Sequence, residues 1–398
     1  MDITITPTKL SGNIRAIASK SQAHRLLICA AFADKETHLQ CSETNQDIEA
    51  TVECLRSIGA DIIRCKDTYI VHPVNHLPKE ATLHCRESGS TLRFMLPIVG
   101  ALGIDTTMVL EGRLPHRPLS PLWGEMERHG CCLSRPTEKT VRCTGKLLPG
   151  NYTISGSVSS QFITGLLFAM ALIPGKSALN ITGVIESKPY ITMTQTALSL
   201  FSVNTSNYVV EGSRPFSSPC KLTVEGDWSN AAFFLAAKAM KNPIEVTGLN
   251  PDSPQGDKAV LSILEQLDQT PRIDASDIPD LVPILAVAAG AMNGARFSNI
   301  RRLRLKESDR VATVCEMLTR LGAKVITDEN SMQIFPTTYR GCTIDAAGDH
   351  RIAMAAAIAA TVADGPVTII GANCVTKSYP SFWDEYRRLG GHYEQHIR

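Results

Sequence analysis

Cations and hydroxyl groups stand at the start of an apolar helix that the sequence predicts near the N-terminus. Lys20, Ser21 and Arg25 open this helix, and Ser21 and Arg25 lie about one helical turn apart. Backbone N–H groups and charged donors can together hold a phosphate or carboxylate at such a position. A capping serine beside solvated charges would explain the same residues, so this cluster alone leaves both interpretations open.

Two further segments of the first half carry groups suited to an anion. Gly89 lies in the small-residue turn ESGST, where the lack of a side chain permits close backbone approach. Arg113 and Arg117 lie four residues apart in the proline-containing loop GRLPHRPL. The two arginines could clamp a phosphate or carboxylate, or they could only solubilise the loop.

Donor clusters also precede two other predicted helices. A helix cap and an anion site would each account for hydroxyl and amide groups at these positions. The clusters are Ser159, Ser160 and Gln161, and then Ser187 and Tyr190.

The second half adds carboxylates. Asp280 stands at the head of an almost wholly apolar helix, where a capping role is the default and a general base is the alternative. Lys306 and Arg310 lie four residues apart, and Glu307 between them can pair with Arg310. A solvated, salt-bridged surface would also explain this second segment.

Two more cations belong to the second half. Arg351 stands directly before an apolar helix, and Lys377 follows the last predicted strands. One half thus offers cations and hydrogen-bond donors, and the other offers cations with carboxylates. We expect a cleft between the halves that holds an acidic, phosphorylated substrate and a second anion.

These candidates are positioned by a repeat. Six times a polar turn runs into an apolar, small-residue helix, with four start-to-start steps of 68 to 71 residues and one of 51. The copies begin at Ser19, Glu87, Ser155, Glu225, Ser276 and Ala347.

Amphipathic helices and short β-branched strands alternate with the six apolar helices. The order is strand, buried helix, strand, amphipathic helix and a strand pair, and four of the amphipathic helices end at a glycine that can adopt a positive φ. These glycines are Gly59, Gly130, Gly322 and Gly390. The pattern predicts an α/β fold of six βαβαββ units, three around each of two bundles of buried helices. The short step predicts a shortened unit between the fourth and fifth copies.

The chain of 398 residues is longer than one hydrophobic core usually fills. We therefore expect two domains, one of residues 1–19 with 226–398 and one of residues 20–225. The chain would cross between them at hinges near 19–20 and 225–226.

Composition narrows the class of protein. A net charge of +1 gives no basic field for wrapping nucleic acid, so anions must be bound by local clusters. The twelve cysteines include no CxxC pair, which favours reduced thiols over a disulfide framework or a metal site. No signal peptide or membrane-length apolar stretch is visible, so we expect a cytoplasmic protein with no membrane partner.

Eight segments, in order, resemble the 5-enolpyruvylshikimate-3-phosphate (EPSP) synthase family over essentially the whole chain. They are SKSQAHRLL, SSQF, ESKPYITMT, EGDWSNAAFFLAA, IPDLVP, LRLKESDR, DHRIAMA and TKSYPSFW. The resemblance implies an inverse α/β prism in each domain. It also implies transfer of the enolpyruvyl group of phosphoenolpyruvate to the 5-hydroxyl of shikimate 3-phosphate, by a monomer that needs no metal or organic cofactor.

The resemblance also implies roles for individual residues. Asp280 would be the base for the 5-hydroxyl, and Glu307, with Lys306 nearby, would protonate the phosphoenolpyruvate methylene. Shikimate 3-phosphate would be bound by Lys20, Ser21, Arg25, Ser159, Ser160, Gln161, Ser187, Tyr190, Asp280 and Lys306. Phosphoenolpyruvate would be bound by Lys20, Gly89, Arg117, Gln161, Arg310, Arg351 and Lys377.

The sequence departs from the family pattern in one turn. Where an Asn-Ala-Gly-Thr run is common, this chain has Glu87, Ser88, Gly89 and Ser90, and Phe94 replaces a frequent proline. A carboxylate near an anion site is costly unless it points away or is paired, so we expect one of these for Glu87. We expect inhibition by glyphosate, which resembles phosphoenolpyruvate.

Two other functions compete with this interpretation. Transfer to UDP-N-acetylglucosamine uses the same fold, but its family has Lys-Asn where this chain has Lys20-Ser21, and a loop cysteine that GRLPHRPL lacks. A repeat protein that binds phosphate without catalysis is the second alternative. Such a binder gains nothing from the carboxylates of Asp280 and Glu307.

Overall fold

The computed structural model describes residues 1–212 and 216–396. Its α-helices, α1 to α12 in chain order, are Lys20–Ala31, Gln46–Ser57, Gly89–Leu102, Leu122–Arg128, Ser160–Leu172, Lys188–Leu200, Trp228–Ala239, Val260–Gln266, Val282–Ala291, Arg310–Arg320, His350–Ala360 and Phe382–Arg388. None of these helices is both long and apolar enough to cross a membrane.

The strands are short, and several of them, such as Asp105–Leu110 and Val367–Ile370, are rich in β-branched residues. Strands β1 to β21 are Asp2–Thr6, Gly12–Arg15, Thr37–Gln40, Asp61–Cys65, Thr68–His72, Glu80–Arg86, Asp105–Leu110, Cys131–Ser134, Thr140–Gly145, Asn151–Ser155, Gly175–Thr182, Val209–Gly212, Lys221–Thr223, Ile244–Thr247, Arg272–Asp274, Ala295–Ser298, Val325–Thr327, Ser331–Ile334, Cys342–Asp345, Val367–Ile370 and His392–His396.

The chain divides into two compact units. Unit 1 consists of Met1–Ile17 and Glu225–Arg398, and unit 2 of Ala18–Val224. The first division lies two residues before the position expected from the sequence, because Ala18 packs in the core of unit 2 and Ser19 caps α1. The second lies one residue before the expected position.

In its described residues, unit 2 contains three sheets around three buried helices. The sheets have strand orders β13-β3-β5-β4, β6-β7-β9-β8 and β10-β11-β12. Helices α1, α3 and α5 are buried over most of their length. The run β6-α3-β7-α4-β8-β9 has the predicted βαβαββ order, with β6 and β7 parallel and β8 and β9 antiparallel.

Unit 1 has the same plan with one reduced sheet. Its strand orders are β14-β2, β15-β16-β18-β17 and β19-β20-β1-β21, and its buried helices are α7, α9 and α11. The two-stranded sheet belongs to the repeat between residues 225 and 276. The prediction of a shortened unit at this place is confirmed, as is the α/β architecture.

Two strands pair with a strand of one unit, although the helix that follows each of them belongs to the other unit. Strand β2 precedes α1 but runs parallel to β14 in unit 1, and β13 precedes α7 but runs parallel to β3 in unit 2. The chain therefore passes from one unit to the other between a strand and its next helix.

Helix ends follow the predicted chemistry. The four glycines expected to terminate amphipathic helices have φ between 91° and 106°, so a positive φ is confirmed at each. Ser19, Ser88, Ser159, Asp227 and Asp349 cap helices by accepting hydrogen bonds from backbone N–H groups.

Candidate active site

Asp280 of unit 1 contacts three cations. Arg310 Nη1 donates to its Oδ1 at 2.6 Å, and Lys306 Nζ lies 3.3 Å from the same oxygen. Arg351 reaches Oδ2 at 3.3 Å and the backbone oxygen of Asp280 at 3.1 Å. The N-cap of α9 is Leu281, without a side-chain cap, so the interpretation of Asp280 as a helix cap is wrong.

These cations control the ionisation of Asp280. Burial by itself raises the pKa of this carboxyl, but Arg351, Lys306 and Arg310 outweigh burial and hold the pKa well below its usual range. Asp280 is therefore an ionised carboxylate throughout the neutral pH range.

Arg310 is the centre of the cluster and is only 1% exposed. Its Nε donates to Asp349 at 2.8 Å, and Nη2 donates to Glu307 at 2.7 Å and to Asp349 at 3.3 Å. With the bond to Asp280, four of the five guanidinium N–H groups donate to carboxylates. The predicted Glu307–Arg310 pair is confirmed, but Arg310 is buried and Glu307 is only partly exposed, so the solvated-surface alternative is wrong.

Asp349 joins two helices of this network. Its side chain is fully buried, caps α11 by accepting from the backbone N–H of Arg351, and accepts from Ser308 Oγ at 3.0 Å. It also holds Arg310, the first residue of α10. The sequence places Asp349 at the start of a predicted helix. Its contact to Arg310, 39 residues earlier in the sequence, has no local sequence signal.

Lys306 is the cation of the cluster that can lose its proton near neutral pH. Burial is the main cause of a lowered pKa of about 8, and Asp280 partly offsets it by favouring the charged form. Lys377 is 8% exposed and ends a short 3-10 helix, Ala372–Lys377, that follows β20.

Asp257 is a further carboxyl that the sequence did not single out. It lies in the short 3-10 helix Gly256–Ala259 and is 3% exposed. Burial and then the negative charge of Asp280 raise its pKa to about 6, against the opposing effect of Arg351. Asp257 therefore responds electrostatically to the Asp280 cluster.

In unit 2, Lys20 begins α1 and its Nζ forms an ion pair with Asp47 at 2.8 Å. Asp47 lies in the first turn of α2, so the ion pair ties the starts of two neighbouring helices. Asp47 was not predicted, because an acidic residue in a first helical turn is ordinary on dipole grounds alone.

Arg25 is 2% exposed and its guanidinium is fixed by four hydrogen bonds. Nε donates to Thr194 Oγ1 at 2.9 Å and Nη1 to the backbone oxygen of Ser21 at 2.6 Å. Nη2 donates to the backbone oxygen of Tyr190 at 3.0 Å and to Thr164 Oγ1 at 3.4 Å. Arg25 therefore joins α1 to α5 and α6, and it brings three predicted residues, Ser21, Arg25 and Tyr190, together.

Gln161 connects α5 to α3. Its Nε2 donates to Ser90 Oγ at 2.9 Å, and its Oε1 accepts from Arg93 Nη1 at 2.6 Å. Ser159 caps the same helix, with Ser160 as its first residue. Ser187 has a positive φ of 55° and makes no side-chain cap of α6.

Gly89 begins α3 directly against an arginine. A Cβ added at Gly89 would lie 2.7 Å from Arg117 Nη1, so only glycine leaves that guanidinium in place. Arg113, four residues before Arg117, is exposed. Glu87 turns its carboxylate over the face of Gly112.

Each unit thus carries its own chemistry. Unit 1 combines an ionised carboxylate with three cations, and unit 2 gathers cations, hydroxyls and an amide at helix starts. Within residues 1–212 and 216–396, no group of His, Cys, Asp and Glu is placed to hold a metal ion.

Comparison with known proteins gives consistent matches along the chain. The model of a family described as EPSP synthase (3-phosphoshikimate 1-carboxyvinyltransferase) matches residues 5–386. Proteins named 3-phosphoshikimate 1-carboxyvinyltransferase from Clostridium kluyveri and Clostridium perfringens are each 36% identical to this chain. The first alignment covers 99% of this chain and 98% of the relative, and the second covers 98% of each. A solved structure of EPSP synthase from Acinetobacter baumannii matches with a TM-score of 0.81 over 99% of this chain and all of that one; at 22% identity it supports the fold alone.

Proposed function

The chain belongs to the EPSP synthase family, and we propose that it transfers the enolpyruvyl group of phosphoenolpyruvate to the 5-hydroxyl of shikimate 3-phosphate. The products are 5-enolpyruvylshikimate 3-phosphate and inorganic phosphate, on the route to chorismate and the aromatic amino acids. The observation that carries the proposal is the ionised Asp280 held by Lys306, Arg310 and Arg351.

The reaction is an addition followed by an elimination. In the first step the 5-hydroxyl oxygen bonds to C2 of phosphoenolpyruvate, the hydroxyl loses its proton, and C3 gains one. In the second step C3 loses a proton and the bond between C2 and the phosphate oxygen breaks. The chemistry asks for a carboxylate that accepts a proton, an acid that donates one, and cations near the phosphate and carboxylate.

Asp280 is proposed as the group that accepts the hydroxyl proton. A carboxylate with a low pKa is a weak base in the ground state, but the hydroxyl becomes acidic as its oxygen bonds to a cationic C2. The three cations keep Asp280 ionised and hold its oxygens in fixed positions.

Protonation of C3 is assigned to Glu307 with Lys306 beside it. Lys306, with a pKa of about 8, is mostly protonated at pH 7 and can share a proton at that pH. Glu307 is held by Arg310 at 2.7 Å, which fixes the direction of its carboxyl group.

Phosphoenolpyruvate carries a phosphate and a carboxylate, and charge-assisted hydrogen bonds suit both groups. Arg310 has four N–H groups committed to carboxylates, so it contributes mainly its charge and one further N–H. The proposed phosphoenolpyruvate ligands are Lys20, Gly89, Arg117, Gln161, Arg310, Arg351 and Lys377.

Shikimate 3-phosphate offers a phosphate, a carboxylate and hydroxyls. Hydroxyl and amide donors at helix starts suit its phosphate, and the fixed guanidinium of Arg25 suits its carboxylate. Its proposed ligands are Lys20, Ser21, Arg25, Ser159, Ser160, Gln161, Ser187, Tyr190, Asp280 and Lys306. Neither substrate requires a metal or organic cofactor in this scheme.

Release of phosphate from phosphoenolpyruvate tests the function and its alternatives. Shikimate 3-phosphate should support turnover, and UDP-N-acetylglucosamine should not, since the loop GRLPHRPL has no cysteine. Turnover with the UDP-sugar would move the assignment to the related transferase. Binding of either substrate without phosphate release under any condition would favour a non-catalytic phosphate-binding protein.

We also propose that the enzyme acts as a monomer in the cytoplasm, with small molecules as its partners. Light scattering during size-exclusion chromatography should give the mass of one chain, 43.2 kDa. A stable dimer would contradict the proposed monomer.

A further inference from the structure

A chain of buried hydroxyl groups joins three helix starts in unit 2. His24 Nδ1 lies 2.7 Å from Thr51 Oγ1, and Thr51 Oγ1 lies 2.7 Å from Thr91 Oγ1. Thr91 Oγ1 donates to Ser88 Oγ at 2.7 Å, and the backbone N–H of Thr91 donates to the same oxygen at 3.2 Å. We call the four side chains of His24, Thr51, Thr91 and Ser88 the hydroxyl chain; all four are at most 1% exposed.

The hydroxyl chain connects one turn from each of three helices. His24 is in the second turn of α1 and Thr51 in the second turn of α2, while Ser88 is the N-cap of α3. Thr91 also approaches the backbone oxygen of Asp47 at 3.4 Å, and Asp47 holds Lys20. The hydroxyl chain therefore contacts two elements that are proposed to bind phosphoenolpyruvate. They are the start of α1 at Lys20 and the turn at Gly89.

We propose that the hydroxyl chain positions Lys20 and the Ser88–Gly89 turn, and through Gly89 the guanidinium of Arg117, for binding phosphoenolpyruvate. His24, Thr51 and Thr91 are then positioning residues that do not touch the substrate. This inference rests on the proposed function.

Proton counting gives the hydroxyl chain a direction. Each hydroxyl has one proton to donate, so Thr91, which donates to Ser88, must accept from Thr51. Thr51 must in turn accept from His24, so Nδ1 carries the ring proton. His24 Nε2 is buried and has no hydrogen-bond partner among the described residues, which fits a bare ring nitrogen.

The environment of His24 keeps its ring neutral, as this direction requires. Burial lowers the pKa of His24 to about 3, and the charges of Lys20 and Arg25 add to burial against the opposing charge of Asp47. Phe94 packs edge-on against the ring, with centroids 6.3 Å apart.

Two residues at which this sequence departs from the family pattern belong to or contact the hydroxyl chain. Ser88 stands at the alanine of the Asn-Ala-Gly-Thr run, and Phe94 stands where a proline is frequent. Ser88 ends the hydroxyl chain and Phe94 covers His24.

Thr51→Val removes the central hydroxyl with little change in shape and tests the proposal in the full-length enzyme. The KM for phosphoenolpyruvate should rise about 5- to 50-fold, because a buried hydrogen bond is lost on each side. The KM for shikimate 3-phosphate should rise by a smaller factor, because Lys20 is the one proposed ligand of that substrate that the hydroxyl chain positions. Thr51→Ser should restore wild-type behaviour. Unchanged values, or an equal rise in both KM values, would overturn the proposal.

Thr37→Val is the matched control. Thr37 is a fully buried threonine of the same unit, and its hydroxyl lies 2.7 Å from Ser218 Oγ, outside the hydroxyl chain. It should lower thermal stability about as much as Thr51→Val does, without a change in the KM for phosphoenolpyruvate. A similar rise in that KM would attribute the effect to general loosening and contradict the proposal.

The tautomer of His24 gives a test that needs no variant and no turnover. Long-range ¹H–¹⁵N NMR of the wild-type chain should find His24 neutral at pH 7 with the proton on Nδ1. A proton on Nε2 would contradict the direction of hydrogen bonding in the hydroxyl chain, and this result would hold even if Thr51→Val failed to fold. Absence of phosphate release in the wild type would instead refute the proposed function, and the tautomer would still report on the hydroxyl chain.

Discussion

Asp280 is surrounded by cations on both of its oxygens, and this arrangement limits what the residue can do. Its Oδ1 contacts Arg310 and Lys306, and its Oδ2 contacts Arg351. A carboxylate so paired stays ionised, accepts a proton only as charge develops on the substrate, and orients three cations at once.

Asp280→Asn keeps the shape of the side chain but removes its charge and basicity. We expect kcat to fall about 10²- to 10⁴-fold, the usual contribution of a general base, with smaller changes in KM. Steady-state phosphate release measures both parameters. Asp274→Asn is the control, since Asp274 is an exposed aspartate six residues earlier that accepts hydrogen bonds from the backbone N–H of Ser276 and the side chain of Asn299. Near-normal turnover in Asp280→Asn would exclude Asp280 as the base.

We expect the deprotonation of Lys306 to set the alkaline limit of activity. Its pKa is lowered to about 8, so the cation beside Asp280 is present below pH 8 and is lost as the pH rises through this value. We expect kcat/KM to fall above about pH 8. Lys306→Arg should lower the maximum but move the alkaline limb to higher pH, because arginine keeps its charge. A limb that does not move in Lys306→Arg would show that another group sets it.

Among the elements, the turn into α3 leaves no room for a side chain at Gly89 while the Arg117 guanidinium stays in place. Gly89 starts the helix against Arg117, and Ser88 caps it. A helix start of this kind places backbone N–H groups and a guanidinium at one position. Small changes here should therefore alter anion binding more than stability.

Gly89→Ala places a Cβ 2.7 Å from Arg117 Nη1 and must displace the guanidinium. We expect the KM for phosphoenolpyruvate to rise about 10-fold, while the KM for shikimate 3-phosphate and the fold are kept. Gly124→Ala is the matched control, because a Cβ at Gly124 in α4 meets no atom within 4 Å. Equal effects of the two substitutions on that KM would contradict the assignment of Arg117.

The same turn bears on inhibition by glyphosate. We expect glyphosate to compete with phosphoenolpyruvate, because Gly89 is retained and Glu87 packs over Gly112. Initial rates at several concentrations of both compounds measure this competition. Undiminished turnover at glyphosate levels well above the KM for phosphoenolpyruvate would show that the altered turn excludes the inhibitor.

Much of the element-level description follows from the sequence. Apolar helices of small residues, β-branched strands and helix-ending glycines are local signals, and the structure places these elements where the patterns predict them. Asp280 shows the limit of such signals. A carboxylate before an apolar helix is typical of a cap, whereas its actual contacts come from residues 26 to 71 positions away.

At the scale of the whole molecule, the 398 residues form two units with the same plan but different chemistry. The repeat spacing predicts the shared plan, because each repeat must bury one helix. The contacts of the hydroxyl chain and of Asp257 were not predictable, because they depend on which helix faces meet inside a unit. In the proposed function, the proton-transfer groups around Asp280 belong to unit 1.

Enolpyruvyl transfer to shikimate 3-phosphate by addition and elimination adds a proton to C3 of phosphoenolpyruvate and then removes one. The most direct measurement is NMR of the complete reaction in deuterated water, which follows both substrates and both products. We expect one inorganic phosphate per enolpyruvyl ether formed at the 5-oxygen, with deuterium entering C3 because that carbon is protonated and then deprotonated. Phosphoenolpyruvate that stays unchanged beside shikimate 3-phosphate, or an ether product without deuterium at C3, would contradict this mechanism.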